Sequence, residues 1–210
     1  MDFDAPDDAH SFDTFRREFG PEYYSFDIGM VHFIIMDDVK YPCGPEDNLD
    51  GLHDFCERGF DRPDYTGSIT ERQLTWLKND LEHVSKDKLI HLHFHIPIHS
   101  YIDQNLVKHS VANVVELYEI LGCKRSDDGY FYPEGCERRI VSSHAHTHTT
   151  ENIRPGENFE GWSTALDAGN LQGRSPGPPP FHQVILGAGC GSWWTGECAE
   201  LIGFPCCFFV

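Results

Sequence analysis

Two short stretches decide the fold: residues 89–100 read LIHLHFHIPIHS, and residues 140–152 read IVSSHAHTHTTEN. Each begins like a β-strand and then places a histidine at every second position. Successive side chains of a strand point to opposite faces, so histidines two residues apart share one face. If the two strands lie near each other, imidazoles from both can converge on one cation, because neutral imidazole is a common ligand of zinc, iron and manganese. The pattern therefore predicts two strands that carry a metal site.

A second interpretation treats these histidines as ordinary polar residues on the solvated face of an antiparallel sheet. The residues that alternate with them in the first run, Leu92, Phe94 and Ile96, are apolar. That run ends at Ile96-Pro97, where a strand leaves the sheet because proline has no backbone N–H to donate. These features favour the metal site over the solvated face. His93 of the first run and His144 of the second are among its candidate ligands.

The composition narrows the classes of partner. The chain has 16 lysines and arginines against 34 aspartates and glutamates, a net charge of −18, which argues against nucleic acid or an anionic membrane surface. An anionic substrate would need a local positive centre, which a divalent metal can supply. No apolar run reaches the roughly 18 residues of a membrane span, and the acidic opening residues do not resemble a signal peptide. The eight cysteines show no C-x-x-C spacing, so zinc-ribbon and thioredoxin-like sites lack support and the compartment is open.

The first third of the chain predicts a helix and a hairpin. A short helix over Ser11–Phe19 would end at Gly20-Pro21. Two strands would then join at Asp27–Met30, where Gly29 can adopt a positive φ. Because Val31–Met36 reads as an apolar run, we expect that strand to be buried on both faces.

The remaining chain alternates strands, helices and loops. A capping box at Thr70–Gln73 predicts a helix through Glu82 with Leu74, Leu77 and Leu81 on its apolar face. A second amphipathic helix around residues 111–121 would stop at Gly122. We expect long loops at residues 39–67, 123–138 and 155–180 and a last strand at His182–Gly187. Asp37 and Asp38 end a strand and could lie near the metal site as substitute carboxylates, but an acidic loop edge is the favoured interpretation. The alternation predicts an α/β fold with mixed sheets.

The order of several motifs resembles the calcineurin-like metallophosphoesterases, in particular the bacterial branch with an extra C-terminal domain. The resemblance spans residues 9–197 and is carried by five stretches: YYSFDIGMVHFI at 23–34, ITERQLTWLKNDL at 69–81, HIP at 95–97, HTHTTEN at 146–152 and GSWWTG at 191–196. It implies a four-layer α/β/β/α sandwich with two metal ions between loops at the strand ends. It also implies metal ligation by His95, His146 and His148, with Glu151-Asn152 fixing the alignment of the last two. Ala145 stands where the family has glycine, and His144 offers a competing register.

The departures from this family concern its first three motifs. Gly-Asp with its bridging aspartate and Gly-Asn-His do not occur in this sequence, and Asp-x-His occurs only as Asp8-Ala9-His10 in the acidic opening segment. We expect that none of the three family motifs is present. By the resemblance, residues 1–200 are therefore an incomplete phosphoesterase domain that lacks its N-terminal metal motifs, and residues 201–210 are an irregular tail. We expect a metal-dependent phosphoesterase that hydrolyses a phosphate ester, truncated and weakly active or inactive as this chain, with a missing N-terminal half as partner. Its Mn, Fe or Zn site would be dinuclear in the full family and at most mononuclear here. The alternatives are a non-catalytic His-rich metal-binding protein and an inert gene remnant.

Overall fold

Three α-helices and ten β-strands form the part of the chain that the computed structural model describes, residues 10, 12–40, 66–98, 111, 113–127, 131–147, 149–157 and 179–187. The helices are α1 (Asp13–Phe19), α2 (Glu71–Glu82) and α3 (Val114–Ile120). The strands are β1 (Tyr24–Ile28), β2 (Val31–Ile35), β3 (Val39–Lys40), β4 (Thr66–Gly67), β5 (Leu89–His93), β6 (Cys123–Arg125), β7 (Phe131–Cys136), β8 (Ile140–His144), β9 (Glu151–Ile153) and β10 (His182–Ile185).

A six-stranded mixed sheet with the order β1-β2-β5-β8-β10-β9 is the framework of the fold. Its four central strands run parallel, and the two edge strands β1 and β9 are antiparallel to their neighbours. The chain passes through α2 between β2 and β5, and through α3 between β5 and β8. The predicted α/β fold with a mixed sheet is confirmed. The carboxyl ends of the central strands β5 and β8 lie side by side at one end of the sheet.

Helices α2 and α3 pack on one face of this sheet and form the core with it. The cluster contains Ile34, Ile90 and Leu92 from the sheet, together with Leu77 of α2 and Leu117 of α3, all without solvent exposure. One half of the predicted capping box is present: Thr70 Oγ1 accepts a hydrogen bond from the backbone N–H of Gln73 at 3.3 Å, whereas the Gln73 side chain is hydrogen-bonded to the backbone of Asp37. Helix α2 therefore begins where the sequence predicts it, and its leucines face the sheet as expected.

The opposite face of the sheet is only half covered, so the prediction that Val31–Met36 is buried on both faces was wrong. Along β2, His32 and Ile34 are buried, whereas Val31, Phe33 and Ile35 keep partial exposure. An apolar run does not by itself distinguish one buried face from two, since hydrophobic residues also remain on surfaces.

His32 is the polar exception within this run, and it is buried with both ring nitrogens satisfied. Its Nδ1 lies 2.7 Å from Asp27 Oδ1, and its Nε2 lies 2.8 Å from Asp80 Oδ2. Ser25 donates a further hydrogen bond to Asp80 at 2.7 Å. This chain of polar contacts joins the β1–β2 hairpin to helix α2.

Two turns at glycine are confirmed. Gly29 connects β1 to β2 with φ +56°, and Gly122 follows α3 with φ +74°, both in the left-handed region that glycine adopts easily. Helix α1 likewise ends before Gly20, as predicted. The last predicted strand is confirmed as β10.

The prediction of a loop over residues 123–138 was wrong. This segment forms the β6–β7 hairpin, and a disulfide joins Cys123 to Cys136, which are directly opposite in the pairing. The cysteine spacing gave no signal, because a cross-strand disulfide depends on the register of two strands and not on a C-x-x-C motif.

Other predictions fall partly or wholly outside the described residues. The long loop at residues 39–67 is flanked by the two-residue pair β3–β4, and residues 41–65 are outside the description. The same holds for residues 158–178 of the second long loop, for the GSWWTG motif at 191–196 and for the tail at 201–210. No helix in the described ranges has the length and apolar character that crossing a membrane requires.

Candidate metal centre

His95 and His146 meet beyond the carboxyl ends of β5 and β8, because the pairing of these two strands continues past the last residue of each. The backbone N–H of Phe94 donates to Ser143 O at 3.4 Å, and that of Ala145 donates to His95 O at 3.0 Å. The histidines therefore follow two adjacent parallel strands at their carboxyl ends. The expectation that the alternating histidines lie within strands was only partly right, since β5 ends at His93 and β8 ends at His144.

The two imidazoles face each other at close range. His95 Nε2 lies 3.1 Å from His146 Nδ1, with the ring centroids 4.9 Å apart and the ring planes at 74°. Two nitrogens on one zinc ion, each about 2.0–2.1 Å from the metal, are roughly 3.3 Å apart in an ideal tetrahedron. The observed separation is therefore compatible with two ligands of a single ion, and it is also the distance of a hydrogen bond between neutral rings.

His146 reaches this position through an uncommon backbone conformation. Its φ is +63°, and the backbone N–H of Thr147 donates to Ala145 O at 2.7 Å, which closes a three-residue turn around His146. A non-glycine residue in the left-handed region is uncommon and costs free energy, and such residues concentrate at functional sites. The turn, and not strand alternation, directs the His146 ring toward His95.

The third predicted ligand, His148, lies outside the described residues. Within the ranges that the structure describes, no group of three or more His, Cys, Asp or Glu side chains is arranged to hold a metal ion. These ranges thus contribute two converging imidazoles, and a third protein ligand would have to come from elsewhere in the chain.

The backbone that carries His95 is fixed by a buried carboxyl group. Asp38 follows β2 and has no solvent exposure; its Oδ1 accepts from the N–H of His95 at 3.0 Å and its Oδ2 from the N–H of Ile96 at 2.9 Å. Further along, Gln183 Oε1 accepts from the N–H of Ile98 at 3.0 Å. Burial raises the pKa of Asp38 well above its ordinary value, against the opposing effect of the N–H donors. Of the two interpretations of Asp38, the favoured one, an acidic loop edge, was wrong, because the side chain is buried beside the backbone of His95.

A second buried carboxyl group supports the turn that carries His146. Glu151, 2% exposed, accepts a hydrogen bond from Thr149 Oγ1 at 2.6 Å, and Thr149 Oγ1 lies 2.9 Å from Thr147 Oγ1. The sequence motif singled out Glu151 only as an alignment marker. Its burial and its contact with the histidine-bearing loop require the three-dimensional arrangement of β9 beside β10.

His93 lies on the half-open face of the sheet. Its ring centroid is 4.0 Å from that of His91 and 6.1 Å from that of Phe33, and His91 Nε2 lies 2.8 Å from Ser143 Oγ. Burial lowers the pKa of both histidines, which favours their neutral forms. These contacts place His93 in an aromatic cluster, on the face opposite to His144.

His144 is part of the core on the helix-covered face. It is 2% exposed, packs edge-on against Phe94 with centroids 4.4 Å apart, and contacts Ser142 Oγ through Nε2 at 2.8 Å. Among the described residues no group is hydrogen-bonded to its Nδ1, and burial lowers the pKa of His144 to about 3, so the ring is neutral. The competing register His144-x-His146 would therefore need a ligand that points into the core.

Glu151 was not predicted to support this centre, and Asp38 was considered only as a nearby carboxylate, not as an acceptor for backbone N–H groups. The signal for Asp38 was its position directly after an apolar strand, where a carboxyl group can accept N–H donors from the neighbouring strand end.

No protein-family model matches the chain, and no curated protein matches it in sequence.

Proposed function

We propose that this chain is part of a metal-dependent phosphoesterase and that His95, His146 and His148 hold a divalent Mn, Fe or Zn ion. The ion would supply Lewis acidity toward a phosphate oxygen and lower the pKa of an attacking water. The observation that carries the proposal is the 3.1 Å distance between His95 Nε2 and His146 Nδ1, beyond the carboxyl ends of β5 and β8. The left-handed backbone of His146 is consistent with it, because residues held in uncommon backbone conformations concentrate at functional sites.

The sheet provides a second line of support. Its face opposite the helices carries a row of stacked rings in which Phe26 and Phe33 are 5.1 Å apart with planes at 10°, and Phe26 is 41% exposed. An apolar, half-exposed sheet face is what one α/β half of a four-layer sandwich would present to a second sheet. This agrees with the proposal that residues 1–200 are an incomplete phosphoesterase domain.

The chemistry of the ligands limits the proposed centre. Carboxylates that neutralise and bridge two cations are missing from the sequence motifs, so we propose one ion per chain. We also expect weak hydrolysis, because a site made of imidazoles alone has neither a second metal ion nor an acid that protonates the leaving group.

A non-catalytic metal-binding protein is the second candidate. It is favoured by the arrangement of only two converging imidazoles in the described residues, since two ligands can bind a metal without organising a reaction. An inert remnant is the remaining alternative, and it predicts no specific metal binding.

Metal titration separates the binding hypotheses from the inert one. Calorimetry of the metal-free chain with Zn²⁺ and Mn²⁺ should give a site of about one ion per chain. The variants His95→Ala and His146→Ala should weaken binding at least tenfold, since each removes a ligand. His83→Ala is the matched control, because His83 is exposed at the end of α2. Absence of binding by the unaltered chain would exclude both metal-dependent functions.

Hydrolysis assays then separate the enzyme from the simple binder. With Mn²⁺ added, p-nitrophenyl phosphate and its diester should be cleaved slowly or not at all by the chain. Any activity that depends on the centre must disappear in His95→Ala and persist in His83→Ala. Robust turnover that His95→Ala abolishes would show that the chain is more complete catalytically than we propose.

A further inference from the structure

Asp38 joins the ends of two adjacent strands at the candidate centre. It follows β2, and its carboxyl oxygens accept from two successive N–H groups that follow β5, those of His95 and Ile96, at 3.0 and 2.9 Å. A second contact of 3.1 Å runs from the Ile96 N–H to Oδ1. The carboxyl group of Asp38 is wholly buried, which shields these hydrogen bonds from solvent at the acceptor.

These contacts fix the backbone direction at His95. Two hydrogen bonds to consecutive amides determine the orientation of both peptide planes, and the residue between them can turn only with them. The Cα–Cβ bond of His95 is thereby aimed at the neighbouring turn, where its ring meets His146. Asp38 contacts the ligand-bearing backbone and does not itself belong to the imidazole pair.

We propose that Asp38 is a positioning residue that holds His95 in a metal-ligating orientation before any metal binds. The inference rests on the proposed metal centre and adds to it a residue that no ligand motif identifies. A carboxyl group suits this role because both of its oxygens accept hydrogen bonds, whereas an asparagine side chain has one acceptor oxygen and would place an N–H₂ group against an amide N–H.

Asp37 is the matched control. It is the adjacent residue with the same side chain, and its Oδ1 accepts from the N–H of Val39 at 3.1 Å, within its own segment. Asp37→Asn therefore removes one negative charge next to Asp38 and leaves the acceptors of the His95 and Ile96 N–H groups in place. A change that Asp37→Asn reproduces would reflect local charge, and a change confined to Asp38→Asn would reflect the lost acceptor of the backbone N–H groups.

The test compares Zn²⁺ affinity and Co²⁺ spectra in Asp38→Asn, Asp37→Asn and the unaltered chain. Asp38→Asn should weaken Zn²⁺ binding about 10–100-fold, the usual consequence of losing an outer-shell partner, and should change the visible spectrum of bound Co²⁺. Asp37→Asn should bind within about threefold of the unaltered chain with the same spectrum. Equal affinity and identical Co²⁺ spectra in all three proteins would overturn the positioning role.

Measurements without metal keep this inference separate from the proposed function. In the metal-free chain, the amides of His95 and Ile96 should be protected from hydrogen exchange, and a ring-to-ring NOE should join His95 to His146. Asp38→Asn should lose that NOE, and Asp37→Asn should keep it. Should the chain bind no metal while these results hold, the proposed function and the metal-ligating purpose fail together, and only the structural part stands, that Asp38 fixes the orientation of His95.

Amide exchange also decides the matter if Asp38→Asn does not fold. Protection of the His95 and Ile96 amides in the unaltered chain supports a backbone at His95 that is fixed before metal binds. Exchange at the rate of freely solvated amides overturns it, because the Asp38 contacts would then not be held in solution.

Discussion

At the scale of single residues, His146 combines a functional candidate side chain with an unfavourable backbone. Its φ of +63° would be unstrained for glycine, which has no Cβ to clash in the left-handed region. If the ring is retained for metal binding, the backbone strain lowers the stability of the metal-free fold. The effect of losing the imidazole can be separated from the effect of the backbone strain by comparing two substitutions that both remove the ring.

We predict that His146→Gly is more stable than His146→Ala by about 1 kcal/mol, the cost of holding a residue with a Cβ in this conformation. Both variants lack the imidazole, so both should bind Zn²⁺ weakly. The measurement is urea unfolding of the metal-free proteins, followed by circular dichroism. An alanine variant as stable as the glycine variant would mean that the turn relaxes and that His146 is not strained.

At the scale of elements, the β6–β7 hairpin shows how a covalent contact can stabilise a short segment. Cys123 and Cys136 are paired across the hairpin, and Cys123 is buried against the core that includes Tyr118 and Phe131. Tyr118 contacts Phe131 edge-on, with ring centroids 4.9 Å apart. The hairpin has only three residues in its first strand, so the disulfide and this aromatic contact supply much of its order.

We predict that reduction of Cys123–Cys136 lowers the free energy of unfolding by about 3 kcal/mol, the chain-entropy value for a closed loop of about this length. Urea unfolding with and without dithiothreitol measures the effect. The double variant Cys123→Ser/Cys136→Ser should resemble the reduced protein and should no longer respond to the reductant through this pair. An unchanged unfolding midpoint on reduction would contradict the prediction.

The elements that the sequence predicted correctly are those with a local signal. Leu74, Leu77 and Leu81 repeat at helical spacing after a capping threonine, and Gly29 and Gly122 mark turns that require positive φ. Such patterns depend on residues a few positions apart, so they can be recognised without the rest of the chain.

The features that were missed depend on contacts between distant residues. Cys123 and Cys136 become partners only through strand register, and Asp38 becomes a buried acceptor only because β5 lies beside β2. For the candidate centre, the convergence of His95 with His146 was predicted, but the reason was different: the rings meet through a left-handed turn beyond the strand ends.

At the scale of the whole molecule, the uneven covering of the sheet has the largest consequence. One face packs against α2 and α3, whereas the other keeps Tyr24 and Phe26 each 41% exposed and Ile28 63% exposed on the edge strand β1. An apolar face next to an unpaired strand edge promotes association between chains. We therefore expect the isolated chain to self-associate as its concentration rises.

The last prediction concerns Phe26→Lys, which should reduce this association at small cost in stability. Lysine on an edge strand opposes strand pairing between molecules, and the lost stacking with Phe33 should cost about 1 kcal/mol or less. The matched control is Ile34→Ala, which removes buried volume on the opposite face of the same hairpin and should cost about 2–5 kcal/mol. Because that control leaves Phe26 in place, it should not lower association. Light scattering across a concentration series, combined with urea unfolding, distinguishes the two effects. If Phe26→Lys associates as strongly as the unaltered chain, the half-open face is not the surface responsible, and it no longer supports the proposal of an incomplete domain.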